Sequence, residues 1–106
     1  MAWTTTQFRS KNPKVYRAFF QALKKAIQEI DGNPRHAAEL YLEDSKDKSS
    51  LDDVVAILKR PDFAFDMTPF NTMKYANFMK HIGTITVAPA DWKDLFFEDI
   101  HQLHGG

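Results

Sequence analysis

The chain has 106 residues, room for one domain with its own core but not for two ordinary ones. Lysine plus arginine equals aspartate plus glutamate at 14 each, so there is no overall positive field to recruit nucleic acid or an anionic membrane. The lack of cysteine excludes a disulfide framework and a cysteine-based zinc site, and leaves the redox compartment open.

No run approaches the about 20 apolar residues that span a bilayer, and Met1 to Phe8 lacks the basic and apolar regions of a secretory signal. Aromatic residues are plentiful, with nine Phe, three Tyr and two Trp, and that much apolar area needs a covering surface within the domain or outside it.

The pattern predicts a mainly α protein of four to five short capped helices with a short extended N-terminal segment, in a single helical domain or fragment over 1–106. Residues 1–11 read as an extended lead-in, because Trp3 to Phe8 favours β structure and Arg9-Ser10-Lys11 is polar. Helices occupy 12–106. Asn12-Pro13, Asn33-Pro34 and Thr68-Pro69 each pair a capping side chain with a proline that has no N–H to leave unbonded, so each marks a helix start.

From Pro13 to Ile30, Val15, Phe19, Ala22, Leu23, Ala26 and Ile30 recur at helical spacing. Tyr16, Phe20 and Ile27 form a second strip beside them, so more than one neighbour is expected on this helix. Asp31-Gly32 ends it, and the next helix turns Ala37, Ala38, Leu40 and Tyr41 inward. Glu43 to Ser49 is polar throughout and reads as an exposed connection.

Ser50 with Asp53 caps a short helix carrying Val54, Val55, Ile57 and Leu58, which Arg60-Pro61 stops. Asp62 to Met67 reads as an extended segment that lays Phe63 and Phe65 on the core. A fourth helix from Thr68-Pro69 buries Met73, Ala76, Phe78, Met79 and Ile82 and stops at Gly83. Thr84 to Val87 is briefly extended, and Pro89 and Asp91 start a last helix with Trp92, Leu95, Phe96 and Ile100.

No pattern marks chemistry. His101 and His104 have the spacing of two metal ligands on one helix side, but a zinc site needs a third, from Glu98 or Asp99, and a solvated terminal turn explains the pair as well. Asp52/Asp53 and Glu98/Asp99 are adjacent, so on a helix their carboxylates diverge and form no acid–base couple. Nucleophile elbows, phosphate loops and His-Glu-x-x-His are absent, so no catalytic residue, metal or cofactor is assigned. Lys11, Lys14, Arg17, Lys24 and Lys25 read as the wet face of the first helix rather than a phosphate track.

Asn12-Pro13-Lys14-Val15-Tyr16-Arg17-Ala18-Phe19-Phe20-Gln21-Ala22-Leu23-Lys24-Lys25-Ala26, Asn33-Pro34 with Ala37-Ala38, Tyr75 to Ile85, and Trp92-Lys93-Asp94-Leu95-Phe96-Phe97 occur in an order and spacing that resembles a known family. It is the C-terminal part of the solute-binding proteins of nitrate/sulfonate/taurine-type ABC transporters, a family that includes thiamine-precursor binders. The resemblance runs over about residues 3 to 106.

It implies the helical scaffold of a two-lobed α/β binding protein for a small organic or inorganic solute, with an ABC permease as partner and a periplasmic or lipid-anchored location. It identifies no ligand-contacting residue, although Trp3 to Thr6 would approach the cleft as a strand end. Helices that normally cover a sheet would leave apolar faces bare here, so a homodimer through the first helix is expected. The alternative is an autonomous helical module that binds a partner protein through its Phe-rich face.

Overall fold

The computed structural model describes all 106 residues and is mainly helical, with five α-helices, two 3-10 turns and no strand. Its backbone divides into two compact units, residues 1–65 and 66–106.

The first unit opens with α1, Thr6–Lys11. The expected extended lead-in over 1–11 is therefore corrected: only the first five residues precede the helix. Thr5 is extended and its hydroxyl accepts the Phe8 N–H at 3.0 Å, so a residue that favours strands serves here as an N-cap. The Arg9 guanidinium lies 4.9 Å from the centre of the Tyr16 ring, tying α1 to the helix that follows.

Asn12 separates α1 from α2, Pro13–Gly32. Its backbone N–H and its side-chain amide both donate to the Phe8 carbonyl, at 2.9 and 3.2 Å, so it closes α1 instead of capping α2 with its side chain. Pro13 still begins α2 as expected. Tyr16, Phe20, Leu23, Ile27 and Ile30 are half-buried, whereas Val15, Phe19, Ala22 and Ala26 are exposed. Of the face expected to lead inward, Leu23 and Ile30 are half-buried and the other four residues are turned out. The two strips lie about a quarter turn apart, and the one carrying Phe20 is the partly covered one.

Asn33 ends α2 through its N–H to the Glu29 carbonyl at 2.8 Å, and its side chain accepts the His36 N–H at 3.2 Å to cap α3, Pro34–Ser45. Both roles follow from Asn-Pro. Ala38 has no exposed surface, but Leu40 and Tyr41, expected inside, are exposed. α3 runs into the expected loop as far as Ser45 and stops where Lys46 adopts a left-handed φ of 56°. Asp47 organises the turn beyond, accepting from Ser49 N–H at 2.7 Å and from Tyr41 Oη at 3.2 Å.

The Ser50 hydroxyl accepts the Asp53 N–H at 3.2 Å to cap α4, Leu51–Leu58, which packs on α3 through buried Val54. Arg60 grips Asp62 through two hydrogen bonds of 2.9 and 2.6 Å. Phe63 and Phe65 meet edge to face at 5.3 Å and stay exposed, so they pair with each other instead of lying on a core.

In the second unit, the Asp66 carboxylate accepts the Thr68 N–H at 2.7 Å, which makes Thr68-Pro69 part of a turn and not a helix start. The helix α5 begins later, Thr72–His81, after a left-handed Asn71 whose side chain does not cap it. Its first N–H is satisfied from far along the chain: Thr72 donates to the Gly106 carbonyl at 2.7 Å, and the Gly106 N–H donates to the Pro69 carbonyl at 3.0 Å.

Gly83 ends α5 as expected. Its φ is 79°, its N–H donates to the Lys80 carbonyl at 3.1 Å, and Thr84 donates to Met79 at 2.9 Å, the paired bonds of a Schellman cap. Residues 84–87 form no strand.

The expected last helix is replaced by two 3-10 turns, Trp92–Leu95 and Glu98–Ile100. Its start signal is real, because Asp91 accepts the Lys93 N–H while Asp94 accepts those of Ala90 and Asp91. The first turn ends at Phe96, whose backbone is extended at φ −129° and ψ 149°. The Lys93 and Phe96 carbonyls, which a continuing α-helix would offer to the Phe97 and Ile100 N–H groups, face His101 Nε2 at 3.1 and 2.7 Å. Trp92 is buried in this unit, with Phe96 and His101 rings each 6.0 Å away.

Two predictions follow from the turns. Gly83→Ala forces a methyl into a left-handed residue and destabilises the second unit by about 1 kcal/mol, measured by urea unfolding followed through Trp92 fluorescence in a Trp3→Phe background. The Asp47, Asp62 and Asp66 carboxyls are held below the ordinary 3.8, chiefly by hydrogen bonds from Ser49, Arg60 and Thr68 respectively. A depressed carboxylate stabilises the fold above its unfolded value and loses that contribution as pH falls through the folded one. Thermal midpoints should therefore be flat near neutrality and drop below about pH 4, with Asp66→Asn reducing the drop for the second unit.

Candidate interaction surface

The core of each unit is small. Ala38 and Val54 are buried in the first, Ala76 and Trp92 in the second, and no large side chain is fully enclosed. Two separate compact units of these sizes would expose about 7,300 Å2 by the size scaling of folded monomers; the chain exposes 8524 Å2. Large apolar side chains are exposed both on helices, such as Val15, Phe19, Tyr75 and Phe78, and off them, such as Trp3, Phe70 and Val87.

On α5, Tyr75, Phe78, Met79 and Ile82 recur at three- and four-residue steps and make one strip, with Tyr75 69%, Phe78 59% and Ile82 56% exposed. Phe78, Met79 and Ile82 were expected inside. Ala76 and Met73, about a quarter to half a turn away, are the residues that face inward. α5 contains no acid; Lys74 and His81 lie to one side of the strip, about a quarter to a third of a turn away, and Lys80 lies on the opposite side. On α2 the exposed strip is Val15, Phe19, Ala22 and Ala26, with Phe19 57% exposed.

The histidine pair has another use. Lys93 and Phe96 offer only carbonyl oxygens to His101 Nε2, so that nitrogen carries hydrogen and donates; its lone pair is not available to a metal. No group of three His, Asp or Glu side chains converges anywhere in the chain. Asp52 instead receives Arg35 Nη1 at 3.5 Å, between α4 and α3. On α2, Lys14, Arg17, Lys24 and Lys25 are all exposed, along its wet side.

Trp3 is exposed, and Thr5 and Thr6 begin a helix, so Trp3 to Thr6 is not the end of a strand. No helix is long and apolar enough to cross a membrane. The sequence signal for the α5 strip was the 75/78/79/82 spacing itself; periodicity identifies an apolar face but not whether anything covers it. Comparison with protein-family models, curated proteins and solved structures yields no match.

His101 ties two backbone carbonyls to the Trp92 ring. Replacing it with alanine leaves the Phe96 carbonyl without its 2.7 Å donor and removes a ring from Trp92, a loss of about 1–2 kcal/mol. In the Trp3→Phe background the outcome is a red-shifted Trp92 emission and faster amide exchange over 92–106, with the first unit unchanged.

Proposed function

We propose that this chain is the helical C-terminal scaffold of a solute-binding protein serving an ABC importer, carrying a small organic or inorganic solute outside the cytoplasm and docking on a permease. The observation that carries the reading is the uncovered α5 strip of Tyr75, Phe78, Met79 and Ile82. A helix layer that covers a sheet has such a face on its inner side, and it is bare when the sheet is not there. The ordered resemblance from Asn12 to Phe97 supports the same reading. In this role the chain supplies support, not chemistry or solute contacts.

An autonomous module that binds a partner protein is the second reading, favoured by the basic residues beside the α5 strip, which suit an acidic-edged apolar groove. The two part company upstream of the Met1 codon. The scaffold reading expects a continuous frame encoding two lobes and an export or lipoprotein signal. An independent ribosome-binding site directly before Met1 counts against it. At the protein level, the scaffold exchanges its α5 amides quickly when expressed alone and slowly when co-expressed with the preceding lobes, whereas a module is protected throughout by itself.

A further inference from the structure

We infer that the outer strip of α2 is a docking surface for a second copy of this chain, with the two α2 helices antiparallel and each Phe19 seated over Ala22 of the other copy. The inference concerns the first unit and goes beyond the proposed function, since it depends on neither a solute nor the strip on α5.

The strip has an internal size pattern. Val15, Phe19, Ala22 and Ala26 are spaced four, three and four residues apart, the seam spacing of paired helices, and all four are exposed. The two large residues come first and the two small ones last. In an antiparallel register that sets Phe19 opposite Ala22, Val15 falls opposite Ala26, so every bulky side chain meets a methyl group and the backbones approach evenly. A parallel register puts Phe19 against Phe19 and leaves a gap at the alanines.

Charge selects the same arrangement. Continuing the seam one step from Ala26 reaches Glu29, exposed and without an ion-pair partner in the chain. Antiparallel pairing brings each Glu29 to the N-terminal turn of the other α2, beside the exposed Lys11 and Lys14 and the positive end of that helix. Parallel pairing would set the two carboxylates side by side. The inner strip, Tyr16 to Ile30, remains on its own side, where α2 contacts α3. A contact limited to this seam is smaller than the roughly 800 Å2 per partner of a standard interface, so the dimer is a weak one.

Sedimentation equilibrium of the full chain into the millimolar range is the first test, with a monomer–dimer equilibrium expected. Phe19→Glu and Val15→Glu should each weaken it at least tenfold with helical circular dichroism unchanged, whereas Phe20→Glu, on the inner strip, should reduce helicity. Glu29→Lys should weaken it a few-fold, and adding Lys11→Glu and Lys14→Glu should restore it. Because the chain has no cysteine, Val15→Cys and Ala26→Cys proteins report orientation when mixed in equal amounts and mildly oxidised. Antiparallel pairing gives mainly the mixed disulfide. A mixed product at or below the statistical half, or a monomer at every concentration, overturns the inference and assigns the strip to another occupant.

Discussion

Ala38 occupies the one position in the first unit with no exposed surface, on the helix that contacts both α2 and α4. A methyl side chain lets neighbouring helices come close, and Ala38 and Val54 are the buried residues of α3 and α4, which pack together. The constraint has a cost. Helices that meet over small residues bury little apolar area, and at about 25 cal/mol per Å2 that area must offset the entropy of ordering every residue in the unit. Much of the remaining order is therefore local, held at helix ends by Thr5, Asn33 and Ser50, each of which gives a side-chain oxygen to an otherwise free N–H.

The second unit solves the same problem differently. With 66–106 close to the lower size at which a chain sustains its own core, it joins its ends. Gly106 bonds both Pro69 and Thr72, and Gly105 lies against Trp92 so tightly that a Cβ there would sit 3.1 Å from the indole and 3.1 Å from the Pro69 carbonyl. A side chain there would press these neighbours back by a few tenths of an ångström. Trp92 is thereby held between the tail, Phe96 and His101.

What was legible in the sequence was local. Asn33-Pro34 and Ser50 with Asp53 name helix starts because a cap needs only residues three apart, and Gly83 names a stop because a left-handed residue favours glycine whatever surrounds it. Errors arose where the deciding partner was distant or where one residue had two competing uses. Thr5 belongs to a β-favouring run yet caps α1; Asn12 is a capping residue whose side chain was taken by the helix before it. Thr68-Pro69 looked like Asn33-Pro34, but Asp66 had already drawn the Thr68 N–H into a turn. The last helix is broken at an extended Phe96, where two carbonyls meet His101, a residue eight positions beyond the first of them.

The orientation of apolar faces was the least legible feature, and the reason bears on function. A helix pattern records that a face must leave water without recording what it meets. On α2 two strips a quarter turn apart both satisfied the pattern, and on α5 the stronger strip proved to be the bare one. Selection of apolar side chains at 15, 19, 75, 78 and 82 is hard to reconcile with permanent exposure, because such faces promote indiscriminate association. Each strip also differs in the partner it suits: small and large residues with an acid at one end on α2, aromatic residues among basic ones on α5. A self-complementary face and a face of single charge sign cannot be covered equally well by the same surface. The two strips are thus separate faces of different chemistry, and a surface that suits one does not suit the other.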